Sequence, residues 1–335
     1  MGAVDDAVKG SSLPYVDSDG ITTFEKGMDI VLGVCFFATA LVSYIRRKAS
    51  YQQSNSPSAG AETMVITAFY SLIFLASSLR AIWFLVPESV WQPSYTPSAV
   101  YAWDNDHPSW LGSALSEIII TAGSLALFSI FILILVYWAD ILKKYFQPGS
   151  QRTSPKTIFV SLVTTLAAFM ILNVLAFLAK FYTTEGMILF HAVLLAVVSL
   201  VCVCEITIFS QKFQTVIKTL GSINQVSTDV QVRRILWITI TGNLFFITRA
   251  LLEIVFAANL LLFWKENGTV GKAFSHEWWD IYTALKYSSE VTILALMLYI
   301  LQSRFHAAAS AVSNATKGGA YERVPEAGDT TRLEV

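Results

Sequence analysis

The chain has 335 residues, of which 54% are nonpolar and only 14% charged, whereas an average soluble domain is about 25% charged. Net charge is −1 and the pI is near 6.4, and nonpolar runs of membrane length recur throughout. This pattern argues against a soluble enzyme, a disordered chain, a secreted disulfide scaffold and a nucleic-acid partner. Cys35, Cys202 and Cys204 all fall inside nonpolar runs, so no luminal disulfide framework is expected.

A helix needs about 20 mostly nonpolar residues to cross a bilayer. In chain order, seven stretches qualify: 28–45, 63–86, 112–139, 157–180, 187–209, 235–263 and 280–301. All nine prolines lie outside the span interiors. Backbone polar groups in lipid must be bonded internally, which favours unbroken helices. The expected fold is therefore all-α, a seven-transmembrane helix bundle. Residues 1–27 form an N-terminal segment, 28–305 the membrane domain, and 306–335, rich in small and polar residues, a disordered tail. The start of the chain lacks a basic stretch followed by a nonpolar core, so span one is expected to serve as the anchor signal.

Lys and Arg counts in the connections set the orientation. One side holds fifteen, including Arg46 to Lys48, Lys143, Lys144, Lys212, Lys218, Arg233, Arg234 and those of the tail. The other side holds five: Lys9, Lys26, Lys180, Lys265 and Lys272. A cytosolic C-terminus and a luminal or extracellular N-terminus follow. The 87–111 connection is then luminal, and its aromatics and prolines suit either a loop on the membrane surface or a lid over a ligand site. The sequon at Asn267 is luminal but adjoins span six, whereas that at Asn314 is cytosolic.

Ionisable groups inside spans are costly and need partners. At about 1.5 Å of rise per residue, Arg80, Glu117, Arg249, Glu253, Lys286 and Glu290 fall in one luminal layer, with three cations facing three anions. Arg249 and Glu253, like Lys286 and Glu290, are four apart on one helix face. Their cation-first order is the weaker one for a lone helix, which favours pairing between helices. Three roles are open: a clasp joining four helices, a polar pocket for a small ligand, or an ion or proton path. A clasp predicts that Arg249→Leu lowers folded yield and that Glu290→Leu restores it. His191 sits near the luminal start of span five, as a packing residue or a sensor of acidity. Asp140 and Glu205 are placed at the cytosolic interface. Phe209, Phe213, Val216, Ile217 and Leu220 read as an amphipathic extension along the membrane that ends near Gly221. Lys212, Lys218, Arg233 and Arg234 beside it offer a cytosolic partner site.

No zinc spacing, phosphate-binding glycine loop, nucleophile elbow or catalytic triad is present. Neither an enzymatic activity nor a cofactor is expected. Lys286 raises a retinal Schiff-base reading, which the absence of a proline-aromatic pattern in span six opposes. A rhodopsin-like receptor fits the span count. However, span three closes on Tyr137-Trp138-Ala139-Asp140, and spans six and seven lack their prolines.

Those residues carry a resemblance. Phe128-Ser129-Ile130-Phe131 followed by Tyr137, Trp138, Ala139 and Asp140 resembles the close of span three in the tobamovirus multiplication protein family. Arg80-Ala81, the Arg233-Arg234 patch with Phe246-Ile247-Thr248-Arg249, and Glu290 with Leu298-Tyr299-Ile300-Leu301 are similar to further segments of that family. The match covers most of residues 28–305, although Lys286 and the 87–111 connection have no counterpart in it. The resemblance implies a seven-helix protein of vacuolar or endolysosomal membranes, with the plasma membrane as the alternative. It further implies partnership with Arf-like or Rag small GTPases and, in plant relatives, with viral replication proteins. Tyr321 and Val324 fit a tyrosine-based sorting signal, and the C-terminal Leu-x-Val could enter a PDZ groove. The expectation is a non-enzymatic membrane anchor that contacts lipid and small GTPases, with room for a homo-oligomer. A ligand-sensing receptor and then a transporter are the alternatives.

Overall fold

The computed structural model describes residues 23–54, 61–86, 100–105, 109–146, 155–224, 229–267 and 276–318. These form seven helices: α1 (Thr23–Ser54), α2 (Ala61–Leu85), α3 (Ser109–Phe146), α4 (Pro155–Leu178), α5 (Thr184–Asn224), α6 (Asp229–Asn267) and α7 (His276–Gly318). The described residues contain no strand, and all seven helices are long and apolar enough to cross a membrane. The chain divides into two compact units, Met1–Leu294 and Ala295–Val335.

Polarity is inverted relative to a soluble protein. Large apolar side chains such as Leu172, Leu175, Val201, Leu251 and Val255 are exposed around the helices, whereas Ser77, Arg80, Ser124, Arg249, Glu253 and Glu290 are buried. Lipid is as apolar as leucine, so outward leucines cost nothing there, while polar groups must turn inward to find partners. Hydroxyls within the helices return protons to carbonyls one turn back, as Thr39 does to Cys35 O at 2.8 Å and Ser129 to Leu125 O at 2.7 Å.

Helix α3 is the central element. It packs against α2, α4 and α5, and 61% of its apolar stretch is buried, against 17% for α4. Phe131 stacks on Phe245 at 5.9 Å and meets Phe246 edge-on at 4.5 Å, which joins α3 to α6. On the α1 side, Phe36 stacks on Phe84 at 5.9 Å. Gly33 lets α1 approach α2 closely, because a Cβ there would lie 2.9 Å from Leu85 Cδ2.

Two details differ from the sequence reading, and a third adds to it. Helix α5 continues through Gly221 to Asn224, so residues 209–220 prolong span five instead of forming a separate surface segment. Backbone bonding propagates through a single glycine at a cost of only about 1 kcal/mol. Helix α7 continues to Gly318, so residues 306–318 are helical where disorder is expected. Their many alanines favour helix, and residues 319–335 lie outside those described. Finally, residues 100–105 of the 87–111 connection are tied down. Thr184 N and Oγ1 both donate to Val100 O, at 3.0 and 3.1 Å, and Trp103 Nε1 donates to Leu178 O at 3.0 Å. Ala102 is fully buried with Ala114, Phe177 and Met187.

Ala102→Leu should overpack that corner and cost about 1–3 kcal/mol. A lowered melting temperature in detergent, with full expression, is the expected result.

Candidate functional site: a buried charge clasp and its cavity

The polar residues of α3 recur at helical spacing inside an apolar run: Glu117, Thr121 and Ser124. They face α2, α6 and α7 near the end of the bundle where α2 and α6 stop and α3 and α7 begin. Arg80 is the first member of the clasp. Its Nε donates to Glu290 Oε2 at 2.6 Å and its Nη2 to Glu290 Oε1 at 3.0 Å, a two-point pairing between α2 and α7. Arg80 Nη1 also donates to Ile120 O at 3.0 Å, and Nη2 to Ser124 Oγ at 2.9 Å. Gly123 makes room for the guanidinium, since a Cβ there would sit 3.1 Å from Arg80 Nη1.

Arg249 from α6 donates through Nη1 to the same Glu290 Oε1 and through Nη2 to Ser124 Oγ at 3.3 Å. Its Nε lies 3.1 Å from Glu253 Oε1, although the two atoms are not aligned as a hydrogen bond. Lys286 Nζ lies 3.0 Å from Glu253 Oε1 and donates to Tyr282 Oη at 2.7 Å, while Tyr282 Oη donates to Glu253 Oε2 at 3.2 Å. Aromatic faces support both outer cations: Arg80 Cζ is 5.1 Å from the Tyr287 ring centre and Lys286 Nζ is 4.9 Å from that of Tyr282.

Five of the six expected charges thus form one chain, Arg80–Glu290–Arg249–Glu253–Lys286, with all members at most 5% exposed. Lys286 pairs across helices with Glu253 rather than within α7 with Glu290. The sixth, Glu117, is not in direct ionic contact with those five. Its Oε1 accepts from Thr121 Oγ1 at 3.2 Å and lies 3.2 Å from His191 Nδ1. Glu117, His191, Glu253 and Lys286 share the walls of a cavity of about 40 Å³ with the rings of Trp83 and Tyr282. Its size admits a few waters.

The remaining sequence-named residues lie elsewhere. Tyr137, Ala139 and Asp140 are half-buried toward the opposite end of α3, and the Trp138 side chain lies outside the described residues. Lys212, Lys218 and Arg233 are exposed, while the Arg234 side chain, Tyr321 and Val324 lie outside the described residues. Glu205 is exposed and Asp140 half-buried. Ser124, Gly123, Tyr282 and Thr283 are site residues the sequence reading missed. The serine could have been found from its seven-residue offset from Glu117.

Removing one partner of a buried pair costs about 3–5 kcal/mol. Glu290→Leu strips both arginines at once and should lower folded yield and melting temperature more than Arg249→Leu, which leaves Glu290 on Arg80 and Glu253 on Lys286. The double change should not restore yield, because Arg80 would remain unpaired; this revises the rescue expected from sequence. Gly123→Ala should cost about 1–3 kcal/mol by pushing on a guanidinium that cannot move aside, read as a lower melting temperature. No family model, curated protein or solved structure matches this chain.

Proposed function

We propose that this chain is a non-enzymatic multi-pass anchor of an organelle membrane that recruits cytosolic partners. The observation that carries the reading is the pair of long helices α5 and α6. Their apolar stretches are Thr184–Val216 and Leu236–Glu266, yet the helices themselves run on to Asn224 and begin at Asp229. The prolonged ends carry exposed Lys218 and Arg233, with exposed Lys212 just before them. Thr239 Oγ1 donates to Ser210 Oγ at 2.5 Å and Asn243 Nδ2 to Thr207 Oγ1 at 2.9 Å, which holds the two helices together at the base of this extension. A rigid, basic helical pair outside the apolar layer suits an acidic partner surface.

The clasp fits the same reading. Its charges pair across α2, α6 and α7, as in a device that holds helices in place. The excess of Lys and Arg on the α5–α6 side puts this extension and the C-terminus in the cytosol. Small GTPases of the Arf-like or Rag type are the leading partners, and vacuolar or endolysosomal membranes the leading location. Both rest on the resemblance of Arg80-Ala81, Tyr137 to Asp140 and Phe246 to Arg249 to the tobamovirus multiplication protein family.

Proximity labelling from a C-terminal tag in cells should enrich small GTPases. The combined Lys212→Glu, Lys218→Glu and Arg233→Glu variant should reduce that enrichment severalfold without changing membrane insertion. Enrichment of heterotrimeric G proteins or arrestins instead would favour a receptor, and a tag found on the luminal side would overturn the orientation.

A further inference from the structure

Two side chains on the cavity wall are left out of the clasp. His191 Nε2 and Thr283 Oγ1 have no hydrogen-bond partner among the described residues, and the residues are only 5% and 3% exposed. A buried polar atom without a partner is unfavourable. Two of them on one cavity mark a place where a hydrogen-bonding guest is favoured. A third group on the same wall is Lys286, whose ammonium carries three N–H donors, donates to Tyr282 Oη and forms an ion pair with Glu253.

Charge decides the sign of the guest. Arg80, Arg249 and Lys286 are held by only two carboxylates, Glu290 and Glu253, which leaves one positive charge in excess. An ionised Glu117 balances that charge from across the cavity. In that state Thr121 gives its one hydroxyl proton to Glu117, so His191 Nδ1 supplies the proton in its own contacts with Thr121 Oγ1 and Glu117 Oε1, both at 3.2 Å, and Nε2 is a bare lone pair. One proton taken up by the Glu117–His191 pair adds one positive charge to a neutral site. It also makes Nε2 a donor beside the Thr283 hydroxyl and the Lys286 ammonium, because a protonated Glu117 donates to Nδ1 and leaves the ring's own proton on Nε2. The groups around the ring are Glu117 on α3, Arg80 on α2, Arg249 and Glu253 on α6, and Tyr282, Lys286, Tyr287 and Glu290 on α7. With the pair's added proton, these groups lack one negative charge. A halide-sized ion supplies it within the space of a few waters.

We propose that this cavity binds one small monovalent anion, with chloride as the size match, together with one proton, using His191, Thr283 and Lys286 as donors. The proton lies between Glu117 and His191 and cancels the Glu117 charge, and Arg249 and Lys286 neutralise Glu253, so the carboxylates on the wall do not repel the guest. Proton and anion enter as a neutral pair, which is how charge can be added inside a membrane without a large desolvation penalty. The inference is independent of the anchor reading, since it concerns the opposite end of α5 from Lys212 and Lys218.

The test uses the full chain in nanodiscs of neutral lipid. Sodium chloride is titrated against sodium gluconate at constant ionic strength, at about pH 5.5 and about pH 7.5, on either side of the unperturbed histidine value. Melting temperature is the readout. Chloride and bromide should stabilise saturably and gluconate should not. By reciprocity of linked binding, the apparent Kd should weaken by about tenfold per pH unit on the alkaline side. Thr283→Val should weaken chloride binding, and Glu117→Gln, which leaves the site one positive charge in excess at every pH, should abolish its pH dependence. If a variant does not fold, the unsubstituted chain still decides. Absence of saturable halide stabilisation, or a Kd that does not move with pH, overturns the proposal.

Discussion

The carboxylate of Glu290 is the point on which the membrane bundle turns. It is the only carboxylate in the clasp that meets two arginines, Arg80 from α2 and Arg249 from α6. Each of those arginines also reaches Ser124 on α3. One anion on α7 therefore brings four helices together within hydrogen-bond range. In water such a cluster would add little, because surface ion pairs are worth about 0–1 kcal/mol. Surrounded by apolar packing, the same groups cannot separate without leaving a bare charge behind. Lipid supplies no hydrophobic force between helices, so this kind of polar adhesion takes on part of the work that core burial performs in a soluble protein.

Packing around the clasp follows from that demand. Gly123 lacks the side chain that would displace the Arg80 guanidinium. Tyr287 covers the guanidinium on one face and itself meets Trp83 at 5.3 Å and Phe84 at 4.9 Å. Trp83 in turn donates to Ser116 Oγ at 2.9 Å. Aromatic rings suit this position because they are apolar in bulk yet present a negative face to a cation. The cluster is thus sealed by groups that contribute to both lipid-like packing and charge stabilisation.

The two ends of the bundle divide the chemistry. One end holds the clasp, the cavity, and the corner where Val100, Trp103 and Ala102 dock on α4 and α5. The charged groups of the clasp and cavity are buried there. At the other end α5 and α6 extend beyond their apolar stretches and present charge outward. An interior device that holds helices and an exterior surface that can meet a partner are compatible in one protein because α3, α5 and α6 run between them unbroken.

Hydropathy alone determined the number of spans, their order and approximate limits, since the cost of placing polar backbone and side chains in hydrocarbon leaves few alternatives. It also singled out all six charged residues of the site, because Arg80, Glu117, Arg249, Glu253, Lys286 and Glu290 stand out against apolar neighbours. Pairing was decided by the tertiary structure. Which carboxylate meets which cation depends on the rotation of each helix about its axis. That rotation is set by contacts such as Phe131 with Phe245 and Gly123 with Arg80, which are between residues distant in sequence. The same holds for the separation of Glu117 from the other five charges and for its contact with His191. A one-dimensional pattern places a side chain at a depth, and only the packed helices give it a direction.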